Sequence, residues 1–361
     1  MPDGQPGGGT VLVTGAAGLV GSEVVRRFAA LGMGCVGVDN DMRGRFFGPE
    51  ASTAWMSRRL EREVRGYRHH DLDVRDQEGL ERLFREIAAD LALVVHCAAQ
   101  PSHDWAAREP LTDFSVNATA TLLLLEATRR HAGDAVFVFT STNKVYGDSP
   151  NRLPLIERET RFELDPGHPY AEHGIDESMS IDGSLHSLFG ASKLAADVLV
   201  QEYGRYFGMR TGVFRCGCVT GGAQSPAELH GFLGYLVRCS LNGGRYRVLG
   251  YRGKQVRDNL HAHDLAGAIE AFFRAPRPGA VYNLGGSRHS HCSLLEAVEL
   301  CERLGGGGLR LSFVDQPRRG DHAWYVSDVR RFRADHPEWT YRYGLEDMVV
   351  ELIDRLRGRG A

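Results

Sequence analysis

One run of residues near the start of the chain restricts the fold more than any other: Val11-Leu-Val-Thr-Gly15-Ala-Ala-Gly18-Leu-Val-Gly21. A β-branched apolar run, glycines three apart and then helical spacing together spell a strand, a tight turn and a helix. Glycine serves that turn, the close approach of a pyrophosphate and the helix-to-strand contact, while the helix N-terminus offers unpaired N–H groups and the positive end of its dipole. The next strand, Cys35-Val-Gly-Val-Asp39, ends in an acid at the spacing at which a carboxylate holds adenosine ribose hydroxyls. Asp39 would repel a 2′-phosphate, so the pattern reads as NAD rather than NADP, with Arg43 as the opposing charge.

The same alternation continues. Thr10 to Thr14, Cys35 to Val38, Leu91 to Cys97 and Ala135 to Thr140 read as strands, and Ser22 to Leu31, Ala118 to Arg130 and Ala191 to Phe207 as crossover helices. This predicts an α/β chain built on a Rossmann-type doubly wound parallel sheet covered on both faces. Past about residue 225 the pattern loosens, Gly305 to Gly308 reads as a turn, and Leu294 to Leu304 and Leu345 to Leu356 are helical again. Residues 1–225 are thus expected to be mainly dinucleotide-binding, with an insertion at 151–187. Residues 226–361 are expected to form mainly a smaller α/β substrate-binding region, with segments 256–286 returning to the first domain.

Composition narrows the function. Lys plus Arg is 43 against 46 Asp plus Glu, a net charge of −3, which provides no basic field for a nucleic-acid backbone. Seven cysteines lie scattered without a paired CxxC, as in a reducing compartment. The opening MPDGQPGGGT lacks a basic region followed by an apolar stretch, and Leu122 to Leu125 is far too short to span a bilayer, so a cytoplasmic protein with no membrane partner is expected. Among the 43 cationic side chains only Lys144, Lys193 and Lys254 are lysines. A lysine kept in such a chain invites a reason.

With Asp73-Val-Arg-Asp76, His96-Cys-Ala-Ala-Gln100 and Asn117 to Thr121 added in order, the chain resembles the extended short-chain dehydrogenase/reductase family of nucleotide-sugar epimerases and dehydratases over essentially its whole length. The resemblance implies NAD contacts at Gly15, Ala17, Gly18, Leu19, Val20, Asp39, Asn40, Arg43, Asp73, Val74, Cys97, Ala98, Ala99, Gln100, Asn117, Thr140 and Lys193. It also implies no metal, and a homodimer formed through the helices beginning near Ala118 and Ala191.

The same resemblance places the reaction. In Ser141-Thr142-Asn143-Lys144-Val-Tyr-Gly147, the Thr142 hydroxyl corresponds to the donor that holds the sugar oxygen being oxidised, where charge develops. The related 4,6-dehydratases carry Asp and Glu where this chain has Asn143 and Lys144, so elimination lacks its usual acid and base. Phe189-Gly-Ala-Ser-Lys193 aligns on the family's Y-x-x-x-K. Lys193 would hold the nicotinamide ribose, but a phenyl ring cannot take or return a proton. Proton transfer has moved elsewhere, or the chemistry needs no base there, or the chain is a non-catalytic NAD-binding sensor or scaffold. His103, Cys218, Tyr170 and His186 are candidate substitutes, and the sequence selects none of them.

Substrate contacts implied by the resemblance are Ser102, Thr142, Cys218, His230, Arg257 and Arg318, the two arginines gripping a diphosphate with forked guanidinium donors. The insertion is expected to wall the sugar pocket. Through the AAQPSHDW, STNKVYG, FGASK, ELHGF and GKQVRDN segments the chain most resembles the CDP-tyvelose (CDP-paratose) 2-epimerase branch. The implied activity is NAD-dependent epimerisation of a nucleotide-diphosphate sugar through a transient keto intermediate. The alternative is epimerisation or oxidation at another carbon, such as C4.

Overall fold

The computed structural model describes residues 8–228 and 230–358. Most of the polar opening, residues 1–7, and Leu229 of the ELHGF segment therefore lie outside the described residues. Seven strands, β1 (Thr10–Thr14), β2 (Gly34–Val38), β3 (Arg68–His70), β4 (Leu91–His96), β5 (Val136–Thr142), β6 (Thr211–Cys216) and β7 (Ala280–Leu284), form one sheet in the order β7-β6-β5-β4-β1-β2-β3. Every neighbouring pair is parallel. Strands buried on both faces need near-continuous apolar runs, and Val11 to Val13 and Phe137 to Phe139 supply them with no exposed residue. The order turns back at β1, which pairs with both β2 and β4, so their carboxyl ends diverge and open a crevice.

Helices α1 (Leu19–Ala30), α2 (Gln77–Ile87), α3 (Ala120–His131), α4 (Leu188–Phe207) and α5 (Ala262–Arg274) cover the sheet. On one face, Val24 and Phe28 of α1 meet Leu265 and Phe272 of α5. On the other, Leu83 and Phe84 of α2, Leu124 of α3 and Val200 of α4 form the second layer. Side-chain caps set two helix starts: Asp76 accepts from the Gly79 N–H for α2, and Ser187 accepts from the Gly190 N–H for α4. Among the described residues no helix is long and apolar enough to cross a membrane.

The C-terminal region packs helices Phe232–Leu241, Leu294–Gly305 and Leu345–Arg357 around Leu236, Val298 and Leu352, beside the parallel pair Arg245–Leu249 and Arg310–Val314. A small mixed sheet centres on Val256–His261, flanked by Cys218–Thr220, His291–Ser293 and Trp324–Tyr325. Two boundaries thus differ from the sequence expectation. Val256–His261 pairs within the small sheet while its Leu260 packs into the main core, and β7 joins the main sheet. Phe332 and Trp339, far along the second region, are buried in the core beneath α1 and α5.

Candidate active site

A groove of about 310 Å³ opens where β1, β4 and β5 end. Gly15 sits at φ +68, and a Cβ there would come within 2.7 Å of the Ala98 backbone nitrogen; a Cβ on Gly21 would lie 2.1 Å from the Gly15 carbonyl oxygen. Both glycines are therefore required by the turn, and they bring backbone to the groove floor where a side chain would fill it. Asp39 lines the groove at the end of β2, accepting from the Ala17 N–H at 3.0 Å and the Asp41 N–H at 2.9 Å. Burial raises its carboxyl above the ordinary range, and those two backbone donors oppose the shift. Arg43 is already held by the Ser225 carbonyl at 2.6 Å and His230 Nδ1 at 3.2 Å.

Of the residues expected to touch NAD, Gly15, Gly18, Leu19, Val20, Asp39, Asn40, Arg43, Val74, Cys97, Ala98, Ala99, Thr140 and Lys193 line this groove. Ala17 meets it only through its bond to Asp39. Asp73, Gln100 and Asn117 do not face it. Asp73 is turned onto Arg75 at 2.6 Å. Gln100 and Asn117 are fully buried against each other, with the Gln100 N–H donating to Asn117 Oδ1 at 2.9 Å and Asn117 Nδ2 donating to the Gln100 carbonyl at 3.0 Å. They brace the loop after β4 from behind. The shape, the exposed helix N-terminus and the acid at the end of β2 fit a dinucleotide with a free 2′-hydroxyl.

A second cavity, of about 290 Å³, adjoins the groove, and Pro101, Thr142, Phe189, Gly217, Val219 and His230 line both. Thr142 ends β5, where its hydroxyl accepts from the Lys144 N–H at 3.3 Å and lies 3.5 Å from Asn143 Oδ1. Lys193, one turn along α4 from Phe189, donates to the Thr140 carbonyl at 2.8 Å, and burial pulls its ammonium down to about 8.

Lys144 projects into the second cavity, where burial likewise lowers its ammonium to about 8. Its Nζ lies 3.7 Å from Asp321 Oδ1 and 3.5 Å from His322 Nδ1. His322 donates Nε2–H to the Gly147 carbonyl at 2.8 Å, which leaves Nδ1 as the acceptor facing Lys144. Arg257 also pairs with Asp321. Burial alone would raise the Asp321 carboxyl, but Arg257 and Lys144 hold it well below the usual range. Arg318, at the cavity wall, pairs with Asp104 at 2.8 Å.

His103, Cys218 and His230 line the second cavity with these groups. Burial pushes the Cys218 thiol up to about 11 and His230 down to about 3, so both are neutral. Ser102 does not reach the cavity: it is buried as the cap of helix His103–Arg108, accepting from the Trp105 N–H. Tyr170 and His186 are absent from the lining too, His186 being held by the Val145 carbonyl at 2.7 Å. The expectation that residues 151–187 wall the pocket is corrected by the same lining. The segment forms a hairpin, Leu155–Glu157 with Phe162–Leu164, and buries Leu164, Ile175 and Met179 against Tyr146 and Trp324 behind the site. Lys254 is turned toward it, bonding Glu157 at 2.8 Å rather than facing the cavity.

Sequence reasoning missed Asp321 and His322 as partners of Lys144, because 177 or more residues separate them and no spacing rule links them. It also missed Glu228, Tyr235, Tyr246 and Arg247 at the far end of the cavity, although Glu228 stands inside the ELHGF segment.

A model described as the NAD dependent epimerase/dehydratase family matches residues 11–285. CDP-paratose 2-epimerase of Salmonella typhi is 30% identical over 354 residues, covering 95% of this chain and 98% of that relative. UDP-glucose 4-epimerase of Homo sapiens is 29% identical, with 95% and 94% covered. Among solved structures, UDP-glucose 4-epimerase of Thermus thermophilus in complex with NAD aligns with a TM-score of 0.76 at 26% identity, covering 97% of this chain and 99% of that one.

Proposed function

The chain belongs to the NAD-dependent epimerase/dehydratase family and is an enzyme with NAD as its cofactor, and we propose that it epimerises a nucleotide-diphosphate sugar through a transient keto intermediate, as a CDP-paratose 2-epimerase does. The observation that supports this reading best is the wall shared by the two cavities. Thr142 and Phe189 face both the groove fitted to a dinucleotide and the cavity lined by Arg257 and Arg318.

NAD, held by the groove residues, would supply reversible hydride transfer at a ring carbon. The rest falls to the chain's own residues. The Thr142 hydroxyl donates to the sugar oxygen at the shared wall, where negative charge develops as the carbonyl forms. Lys193 holds the ribose beside that wall, its orientation set by the Thr140 carbonyl. Arg257 and Arg318 hold the diphosphate, exchanging part of their pairing with Asp321 and Asp104 for phosphate oxygens. Apolar walls of Pro101, Phe189 and Val219 leave room for the keto sugar to turn over.

The test is incubation of the purified protein with CDP-paratose and, separately, UDP-glucose in deuterated water. Conversion of CDP-paratose without deuterium at the inverted carbon is expected. Lasting accumulation of reduced nicotinamide would make the enzyme a dehydrogenase, and turnover of UDP-glucose alone would move the reaction to C4, which the relatives acting on UDP-glucose favour. Seven free thiols accord with a cytoplasmic setting, and the exposed Leu122 and Val198, on α3 and α4, with a homodimer in which a second copy covers them.

A further inference from the structure

Taking a hydride from a secondary alcohol leaves a proton on its oxygen, which a side chain beside the shared wall must accept and later give back. Phe189 offers no proton site. Lys193 is committed to the Thr140 carbonyl, Lys144 lies between Asp321 and His322, and the Cys218 thiol is a poor acceptor because burial holds it protonated. One ring remains. His103 lines the cavity with its ring edge-on to Phe189, centroids 5.1 Å apart and planes at 73°.

We propose that His103 is the proton acceptor and donor of the reaction, taking through Nε2 the hydroxyl proton of the carbon being oxidised and returning it to the ketone oxygen, with Ser187 as its positioning residue. This rests on the epimerase reading above. The bookkeeping closes within the cycle: the O–H and C–H bonds break as C=O forms, and the imidazolium gives its proton back when the C–H bond re-forms on the other face.

The geometry supports the assignment in three ways. His103 Nδ1 lies 2.7 Å from Ser187 Oγ, which also accepts the Gly190 N–H as the cap of α4. Donation from Nδ1–H to that oxygen leaves Nε2 as the acceptor, and among the described residues no hydrogen bond engages Nε2. The ring is fixed from a second side by the loop at Gly320, where a Cβ would fall 2.8 Å from His103 Cε1 and Nδ1. Finally, the charged groups around it are Lys144 and Arg318, opposed by Asp321 and Asp104; burial first, and then those two cations, keep the imidazole neutral. A diphosphate arriving on Arg257 and Arg318 offsets the cations and raises the ring's basicity at the moment a proton must be taken.

The experiment compares wild type with H103Q, F189Y and H103Q/F189Y, using CDP-paratose. H103Q is expected to lose about 100-fold or more in kcat, with NAD content, melting temperature and calorimetric affinity for CDP-paratose unchanged. The double variant restores a proton site beside the lost one, on the shared wall. It should recover at least tenfold over H103Q, with a pH–rate profile that climbs toward the phenol pKa of about 10. H103Q within threefold of wild type overturns the assignment, and so does a rate loss that appears only together with lost NAD content or melting temperature. Failure of the epimerase reading looks different, because then the wild type itself inverts no nucleotide sugar.

Discussion

Lys193 Nζ donates to the Thr140 carbonyl oxygen at 2.8 Å and stands 4.0 Å over the ring of Phe139, so a helix residue is locked to the strand that carries Thr142. A buried ammonium held by one carbonyl and one ring is not fully compensated for its lost water, and burial accordingly pulls it to about 8. The ordinary lysine of the unfolded chain titrates at about 10.4, so the unfolded state binds more protons between those values. The cost is present in full below about pH 8 and fades as pH rises toward 10.4.

Lys193→Met should therefore separate function from stability. The variant is expected to lose NAD on gel filtration and to lose turnover. NAD-free K193M should melt no lower than NAD-free wild type at pH 7, with a stability gain of about 1–3 kcal/mol that narrows above pH 8. Unchanged NAD content would remove the role assigned to Lys193.

Asp321, paired with Lys144 and Arg257, carries a stabilisation where Lys193 carries a cost. Asp321 is depressed, so its contribution is present above the unfolded carboxyl value of about 3.9 and is lost as pH falls through the folded value. Asp321→Asn leaves two buried cations facing each other and should cost about 3–5 kcal/mol at pH 7. Denaturant melts of wild type and D321N should converge as pH falls below about 4; parallel curves would show that the pair is not what depresses the acid.

The reacting wall was legible where chemistry and chain spacing coincide. Thr142 and Asn143 are neighbours, and Phe189 and Lys193 lie one helical turn apart, so strand and helix periodicity place them. The glycine turn and Asp39 were readable because backbone geometry leaves few residue choices there. Long-range partnership was not readable. Nothing local to Lys254 says that it turns to Glu157 while Lys144 turns to Asp321, since both depend on how residues 151–187 and 318–322 pack. The insertion was misplaced for the same reason: its apolar residues Leu164, Ile175 and Met179 had to be buried, and the core they found lies behind the site.

Arg257 and Arg318 predict a split between binding and chemistry. Hydrogen bonds to a charged group contribute about 1.5–3 kcal/mol, so R318A and R257M should each raise KM for the nucleotide sugar by about 10–150-fold with a much smaller change in kcat. Arg257→Lys should not restore KM, because an ammonium cannot reproduce the fork. Steady-state kinetics with full saturation checks this, and a fall in kcat at constant KM would contradict it.

Leu122 and Val198 are exposed apolar positions on adjacent helices. If a second copy covers them, L122R/V198R should elute as a monomer under conditions in which wild type elutes as a dimer, with its melting temperature concentration-independent. A wild-type monomer by light scattering would refute the dimer.

Asp39 makes the final prediction, on cofactor choice. Its two oxygens are aligned by the Ala17 and Asp41 N–H groups, which fixes the carboxylate at the lip of the groove whether or not a ribose is present. Burial makes the carboxyl easier to protonate, so NAD retention should weaken on acidification before the fold is lost. A 2′-phosphate would meet this acid, and Arg43 cannot compensate because its guanidinium is held by Ser225 and His230. Asp39→Ser should therefore weaken NAD binding by about tenfold or more, while narrowing the preference over NADP. Isothermal titration with both cofactors measures the two effects separately. Tighter NADP binding by wild type than by D39S would show that Asp39 does not set the choice.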